Sequence, residues 1–249
     1  MMKNTQKKQK NKKLRKFFDI HKIVLTSILL ALTLLVSYGS SFLKFPFADF
    51  LSFDLSIVFV FVTWHYVGFV YVCLLQISRF LISPLFSHTS DIATSYLGVF
   101  ILILTQMLFI GVFLGIKHLF FYRKEKINST PYQTRFFRVV RMSVVVIFTI
   151  TFAALIMATL NTFIFNLIYF KLFRILNHVS LGELLEKYDS TFKVFFFYIP
   201  DYYLGSYALY TSFNAMNLLI NSTFVVLVLI FEENTNILSR IKNKSYYSY

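Results

Sequence analysis

Long apolar runs broken by short polar stretches constrain this chain more than any motif it carries. Residues 23–42, 55–84, 92–118, 139–169 and 207–231 hold at most one Asp, Glu, Lys or Arg each. About 20 such residues suffice for a helix to cross the hydrocarbon of a bilayer, and backbone exposed to lipid must satisfy its own hydrogen bonds. Hydrophobic residues make up 57% of the chain, above the ~45–50% of soluble domains. The sequence therefore reads as an all-α integral membrane protein. The run at 55–84 is too long for one straight crossing and short for two. Gly68 near its middle predicts two short helices joined by a tight turn, which makes six spans in all.

Charge placement sets the expected topology. Residues 1–16 contain eight Lys or Arg, and residues 117–141 contain seven against one acid, Glu125. The C-terminal tail adds Arg240, Lys242 and Lys244. These blocks flank apolar runs, as cytoplasmic segments do under the positive-inside rule. The net charge of +14 thus reports topology and lipid headgroups, not nucleic acid. A six-helix bundle with both termini cytoplasmic satisfies every block. The expected organisation is a basic tail at 1–20, a membrane domain at 21–242 and a C-terminal tail at 243–249. Within the membrane domain, a cytoplasmic basic linker occupies 117–141 and an outer segment occupies 171–205. In that outer segment Lys171, Arg174, Lys187 and Lys193 offset Glu183, Glu186, Asp189 and Asp201, and residues 194–199 are apolar enough to lie at the interface or cap a pocket. The first span follows a basic start and leads into Ser37, Gly39 and Ser40, a pattern shared with secretory signals. Ser27 and Ala31, four apart, let another helix approach closely and favour a retained helix.

Several chemistries are excluded. The single cysteine, Cys73, forms no internal disulfide, and no His/Cys/Asp/Glu cluster has metal-ligand spacing. Seven glycines supply no phosphate-cradling loop. No cofactor and no metal are therefore expected, and any ATP-driven work falls to a partner. The abundant Phe and Tyr accompany abundant Lys, Asn and Ile, a bias of AT-rich codons, so aromatic content alone defines no cage.

Amides carry the sharpest signal. Asn214, Asn217 and Asn221 are spaced i, i+3, i+7, one stripe of a helix that Tyr210 extends. Asn161 lies in the fifth span. Amides in hydrocarbon are costly unless hydrogen-bonded. With no carboxylate nearby they fit a polar, largely uncharged ligand, or else helix–helix hydrogen bonds. Arg79 reads as a charge snorkelling to headgroups or lining a pocket, and Gln106 as an interhelical hydrogen bonder. Trp64 and His65 read as interfacial anchors, and His88 as a solvated loop residue.

The order of these signals resembles the substrate-binding S components of energy-coupling factor (ECF) vitamin transporters, most of all the riboflavin-type members. Residues 42–57, FLKFPFADFLSFDLSI, are similar to the family's outer loop after helix 1, with Asp54 and Ser56 on its first Asp and its Ser. Residues 87–98, SHTSDIATSYLG, are similar to the polar loop opening helix 4. Residues 160–173, LNTFIFNLIYFKLF, and 213–231, FNAMNLLINSTFVVLVLIF, are similar to its helix-5 and helix-6 patterns. Ile220 stands where the helix-6 pattern has a lysine, and Ile57 where loop 1 has a second Asp.

The resemblance implies an S-component fold and a non-enzymatic role: capture of a vitamin, riboflavin or a related flavin as the first guess. A transmembrane scaffold (T) component and two ATPase subunits would be the partners, with Ser27 and Ala31 at the scaffold interface. Asn161 and Asn217 are the leading ligand contacts, because an amide reads a carbonyl/NH edge. Asn214, Asn221, Thr94 and Tyr96 follow. Asp54 orders the loop-1 lid, contacts the ligand, or is a solvated acid or helix cap. A lipid-acting membrane enzyme and an assembly protein with purely packing asparagines are the competing classes.

Overall fold

The computed structural model describes residues 20–86, 91–121 and 131–235. Five helices among these are long and apolar enough to cross a membrane, which makes this a multi-pass membrane protein. In chain order, α1 spans Ile20–Ser40, and a hairpin of β1 (Lys44–Phe45) and β2 (Ala48–Ser52) follows. Next come α2 (Ile57–Val62), wound on as a π-turn through Thr63–Val67, and α3 (Phe69–Ile82) with a 3-10 turn over Ser83–Phe86. The long α4 covers Ile92–Phe121. Another long helix comprises α5 (Pro131–Leu160), a π-turn at Asn161–Phe165 and α6 (Asn166–Leu172). Last are the short α7 (Leu181–Lys187) and the long α8 (Tyr202–Thr235). The stretch Ile57–Val67 is apolar but shorter than a full crossing.

Gly68 does part the 55–84 run. It sits at φ 127°, a backbone conformation that glycine adopts without a Cβ penalty. The expected outer loop after the first span is built around the β1–β2 hairpin, with Lys44 opposite Ser52. The 117–141 stretch lies between the candidate spans Ile92–Leu119 and Val140–Leu172, and helix enters it from both sides. Helix α4 runs on to Phe121, and α5 starts at Pro131, a residue preorganised for a first helical turn. The last span starts at Tyr202 and not near 207, because the Asp201 carboxylate accepts from Leu204 N at 2.7 Å and caps the helix. The basic blocks at 1–16 and 240–244, and His88, lie outside the described residues.

Two apolar cores stack along the bundle. One gathers Val60, Val72, Leu75, Phe109, Val145, Ala153 and Leu218 among α2, α3, α4, α5 and α8. The other lies at the hairpin end, where Phe45, Leu184, Phe192, Phe196, Tyr202 and Leu209 close over one another. Helix α1 is peripheral. It buries Leu29, Thr26 and Thr33, and the two threonine hydroxyls donate back to Lys22 O and Leu29 O. Ser27 and Ala31 are exposed on it beside Val24, Ile28 and Leu35.

The segment between α6 and α8 is tied by one carboxylate. Glu183 accepts from Asn177 N at 2.8 Å, His178 N at 2.9 Å and Lys187 Nζ at 2.8 Å. The Asn177 amide first, then Lys187 and His178, hold its pKa down to about 2. A depressed carboxylate pKa stabilises the fold above the usual value of 4.5 and loses that contribution as pH falls toward about 2. The protection of the Asn177 and His178 amides, relative to their intrinsic exchange rates, is therefore expected to fall across that window, and Glu183→Gln should remove that change in protection. A close contact supplies a second test. A Cβ on Gly205 would lie 2.8 Å from Tyr188 Oη and 2.9 Å from Phe196 Cβ. Gly205→Ala should cost about 1–3 kcal/mol of unfolding stability in detergent, the range for overpacking. An unchanged midpoint would contradict the packing described.

Candidate functional site

The polar residues of the spans converge on one buried layer. Gln106 stands halfway along Ile92–Leu119, Asn217 halfway along Tyr202–Glu232, and Arg79 just past the middle of Phe69–Phe86. At this layer Arg79 is fully buried and Asp54 is 3% exposed. Arg79 Nη2 donates to Asp54 Oδ2 at 3.1 Å and to Ser37 Oγ at 2.8 Å, and Nη1 donates to Gln106 Oε1 at 2.9 Å. Gln106 Nε2 donates to Asp54 Oδ2 at 2.9 Å and Ser56 Oγ at 3.0 Å, and Gln76 Nε2 to Gln106 Oε1 at 2.8 Å. Ser56 closes the ring by donating its amide and hydroxyl to the Asp54 carboxylate. One charge of each sign, wrapped in neutral donors and acceptors, is how a bundle tolerates buried ions.

This corrects two expectations. Arg79 does not snorkel, because the Asp54 carboxylate meets it inside the bundle. Asp54 is not a solvated loop acid. It orders the segment after the hairpin, and its local service to Ser56 N leaves Oδ2 for Arg79 and Gln106. Gln106 does bond between helices, and to more partners than a single helix–helix contact.

The asparagine stripe divides. Asn217 Oδ1 accepts from Asp54 N at 3.1 Å, and Asn221 Nδ2 donates to Asp54 O at 2.7 Å. These two amides grip both sides of one residue of the strap, residues 41–55, that joins α1 to α2. Asn214 and Asn161 turn instead to their own helices, donating Nδ2 to Tyr210 O at 2.7 Å and Met157 O at 2.8 Å. The oxygens of Asn161 and Asn214 and the Asn217 Nδ2 carry no hydrogen bond to the described residues. Asn161 opens the π-turn, a local widening of the helix that often marks functional positions.

Thr94 and Tyr96 lie within the start of α4, not in a loop entering it. Thr94 N donates to Asp91 Oδ2 at 3.0 Å, so Asp91 caps the helix and Thr94 completes the cap. The Thr94 hydroxyl and amide hold the Asp91 pKa below the ordinary carboxylate range. The Tyr96 ring lies 5.2 Å from that of Phe80.

A second buried network at the hairpin end went unread in the sequence. Asn166 Nδ2 donates to Tyr202 Oη at 3.1 Å and Ser206 Oγ at 3.3 Å, and its Oδ1 accepts from Tyr210 Oη. Tyr202 Oη donates to Thr162 O at 2.6 Å. Asn166 stands five residues beyond Asn161, a spacing that matches one face only across a π-turn, and the sequence does not announce that turn. Above the ion-pair layer, Phe53 stacks on Phe213 at 5.7 Å, and Phe45 meets both edge-on at 6.0 and 5.5 Å. Comparison with known proteins returned no match: no family model, no curated protein and no solved structure.

Removing one partner of the ion pair leaves an uncompensated charge in a dry layer. Arg79→Met should cost about 3–5 kcal/mol of stability, read by denaturant unfolding in detergent. Removing both charges, as Asp54→Asn with Arg79→Gln, should recover much of that loss. Equal stability of Arg79→Met and the parent protein would contradict the buried pair.

Proposed function

We propose that this protein is the membrane-embedded capture subunit of an ATP-driven vitamin importer of the ECF type, with a flavin such as riboflavin as the first candidate cargo. The observation that carries the reading is the strap. A hairpin between the first two helices packs its aromatic face, Phe45 and Phe53, on Phe213 of α8. It thereby covers the same half of the bundle that carries Asn161 and Asn214. A heterocycle is bound by apolar and aromatic walls with a few oriented polar atoms. The amide oxygens of Asn161 and Asn214 are acceptors and Asn217 Nδ2 is a donor. That set complements a ring edge with N–H groups and a carbonyl. Thr94 and Asp54 are committed to a cap and to the ion pair and are demoted as ligand contacts. Tyr96 stays as a wall residue.

The small-residue face of α1 supports the partner side of the proposal. Ser27 and Ala31 are exposed, so a scaffold helix has room to approach. ATP hydrolysis belongs to two partner ATPase subunits, and this chain acts as no enzyme. The inner and outer faces follow from the basic linker, with both termini and the linker cytoplasmic and the strap outside.

An assembly protein with packing asparagines is the second reading, favoured by the hold of Asn217 and Asn221 on the strap backbone. Ligand mass spectrometry after gentle purification separates the two. The importer reading predicts a retained vitamin, yellow if it is a flavin. Asn161→Ala or Asn214→Ala should weaken its binding by about 0.5–1.5 kcal/mol, roughly three- to tenfold, without lowering the unfolding midpoint. A screen of riboflavin, its phosphate and other vitamins that finds no binding overturns it.

A further inference from the structure

We propose that, whatever the cargo, the tip of the strap and the turn before α8 form one aromatic ridge that docks on the bilayer itself, at the boundary between acyl chains and phospholipid headgroups on the hairpin's side of the membrane. One face of α8 changes its covering along its length. Gly205, Leu209, Phe213, Met216, Ile220, Phe224 and Leu227 recur every three or four residues and so form a single stripe. From Met216 to Leu227 the stripe is exposed and apolar, which in a membrane span is a lipid-facing surface. Before Met216 the chain covers it. Phe45 and Phe53 of the strap pack on Phe213 at 5.5 and 5.7 Å. Leu209 is fully buried in the same core as Phe45 and Phe196. Gly205 lies so close to the 3-10 turn Lys193–Phe196 that an added Cβ would fall 2.9 Å from Phe196 Cβ. The strap and this turn therefore stand on the face of α8 that lipid covers farther along.

Helix length sets the depth of that handover. Phe231 is the last apolar residue of α8. The ~30 Å of hydrocarbon takes about 20 residues of helix, and counted back from Phe231 these end near Ser212. The strap takes over from lipid at that level, between exposed Met216 and packed Phe213. A two-stranded hairpin has unpaired edges, which hydrocarbon excludes but which find water and phosphate among the headgroups.

The outward surface of the strap and the turn is aromatic. Phe47 at the hairpin turn meets Phe197 at 5.6 Å, and Phe50 on β2 meets Phe195 at 5.8 Å, and all four rings are exposed. Tyr198, 69% exposed, extends the row. Phe197 and Tyr198 both hold φ 57°, in the left-handed region that a Cβ disfavours. Such backbone persists where its surroundings over-determine it, yet the chain buries neither ring, and lipid supplies the missing surroundings. An exposed apolar row of this kind marks a docking surface, and aromatic rings gather at headgroup depth. Lys44, exposed on the same hairpin, suits a phosphate there. The bilayer surface is thereby a second hold on the strap, beside that of Asn217 and Asn221.

Tryptophan fluorescence in vesicles tests this, because Trp64 is the chain's one tryptophan. In the full chain with Trp64→Phe, Phe47→Trp and Tyr198→Trp each place one reporter on the ridge, and Phe224→Trp places one on the exposed stripe of α8 as the lipid standard. Each protein is reconstituted in phosphatidylcholine brominated either near the glycerol end or near the methyl end of its acyl chains. The expected result is that both ridge reporters are quenched to the extent of the standard, and more by bromine near the glycerol end. No quenching by either lipid, with full access to aqueous iodide, leaves the ridge in water and overturns the proposal. Protection from bromine and iodide alike means that protein covers the ridge, and overturns it as well. Stronger quenching from the methyl end overturns the interfacial depth.

Discussion

The ion pair between Asp54 and Arg79 is the interaction on which the described fold turns. It joins α3 to the segment after the hairpin, and through Gln106, Ser37, Asn217 and Asn221 it reaches α4, α1 and α8. Each of these groups is costly to bury alone. Together they satisfy one another, so none can move without leaving another unpaired. The pair need not add net stability over a hydrophobic isostere. Its value is in register: it fixes where the strap meets the bundle and how short α2 and α3 sit against the longer helices.

Around that layer the molecule divides its work. The core among α2, α3, α4, α5 and α8 is a plain apolar bundle. The hairpin end is built from aromatics and the Asn166 network, with a π-turn opening the helix at Asn161. The amides split the same way. Asn217 and Asn221 spend their hydrogen bonds on the strap, while Asn161 and Asn214 each keep an oxygen available. Recognition, in the proposed function, falls to the second pair and to the aromatic face of the strap.

Much of the architecture was legible in the sequence because hydrocarbon imposes a length rule. Four of the long runs and the break at Gly68 fell where apolar stretches and a glycine placed them. The ends shifted where local capping intervened, as Asp201 did for α8. The hairpin was illegible because its residues, rich in Phe with a proline, carry no clean alternation. Arg79 and Asp54 were each readable as intramembrane or loop charges, yet their pairing spans 25 positions, and nothing local announces it. Asn166 was hidden by the π-turn, which moves it onto a face that a regular helix would not give it.

The central claim is that buried side chains of α8 hold the strap by its backbone. Hydrogen exchange of the Asp54 amide in lipid reads this most directly, since its only described acceptor is Asn217 Oδ1. The account predicts protection on the scale of the α4 and α8 interiors, collapsing in Asn217→Ala while those helices stay protected. Exchange at the rate of an open loop in the parent protein would contradict it.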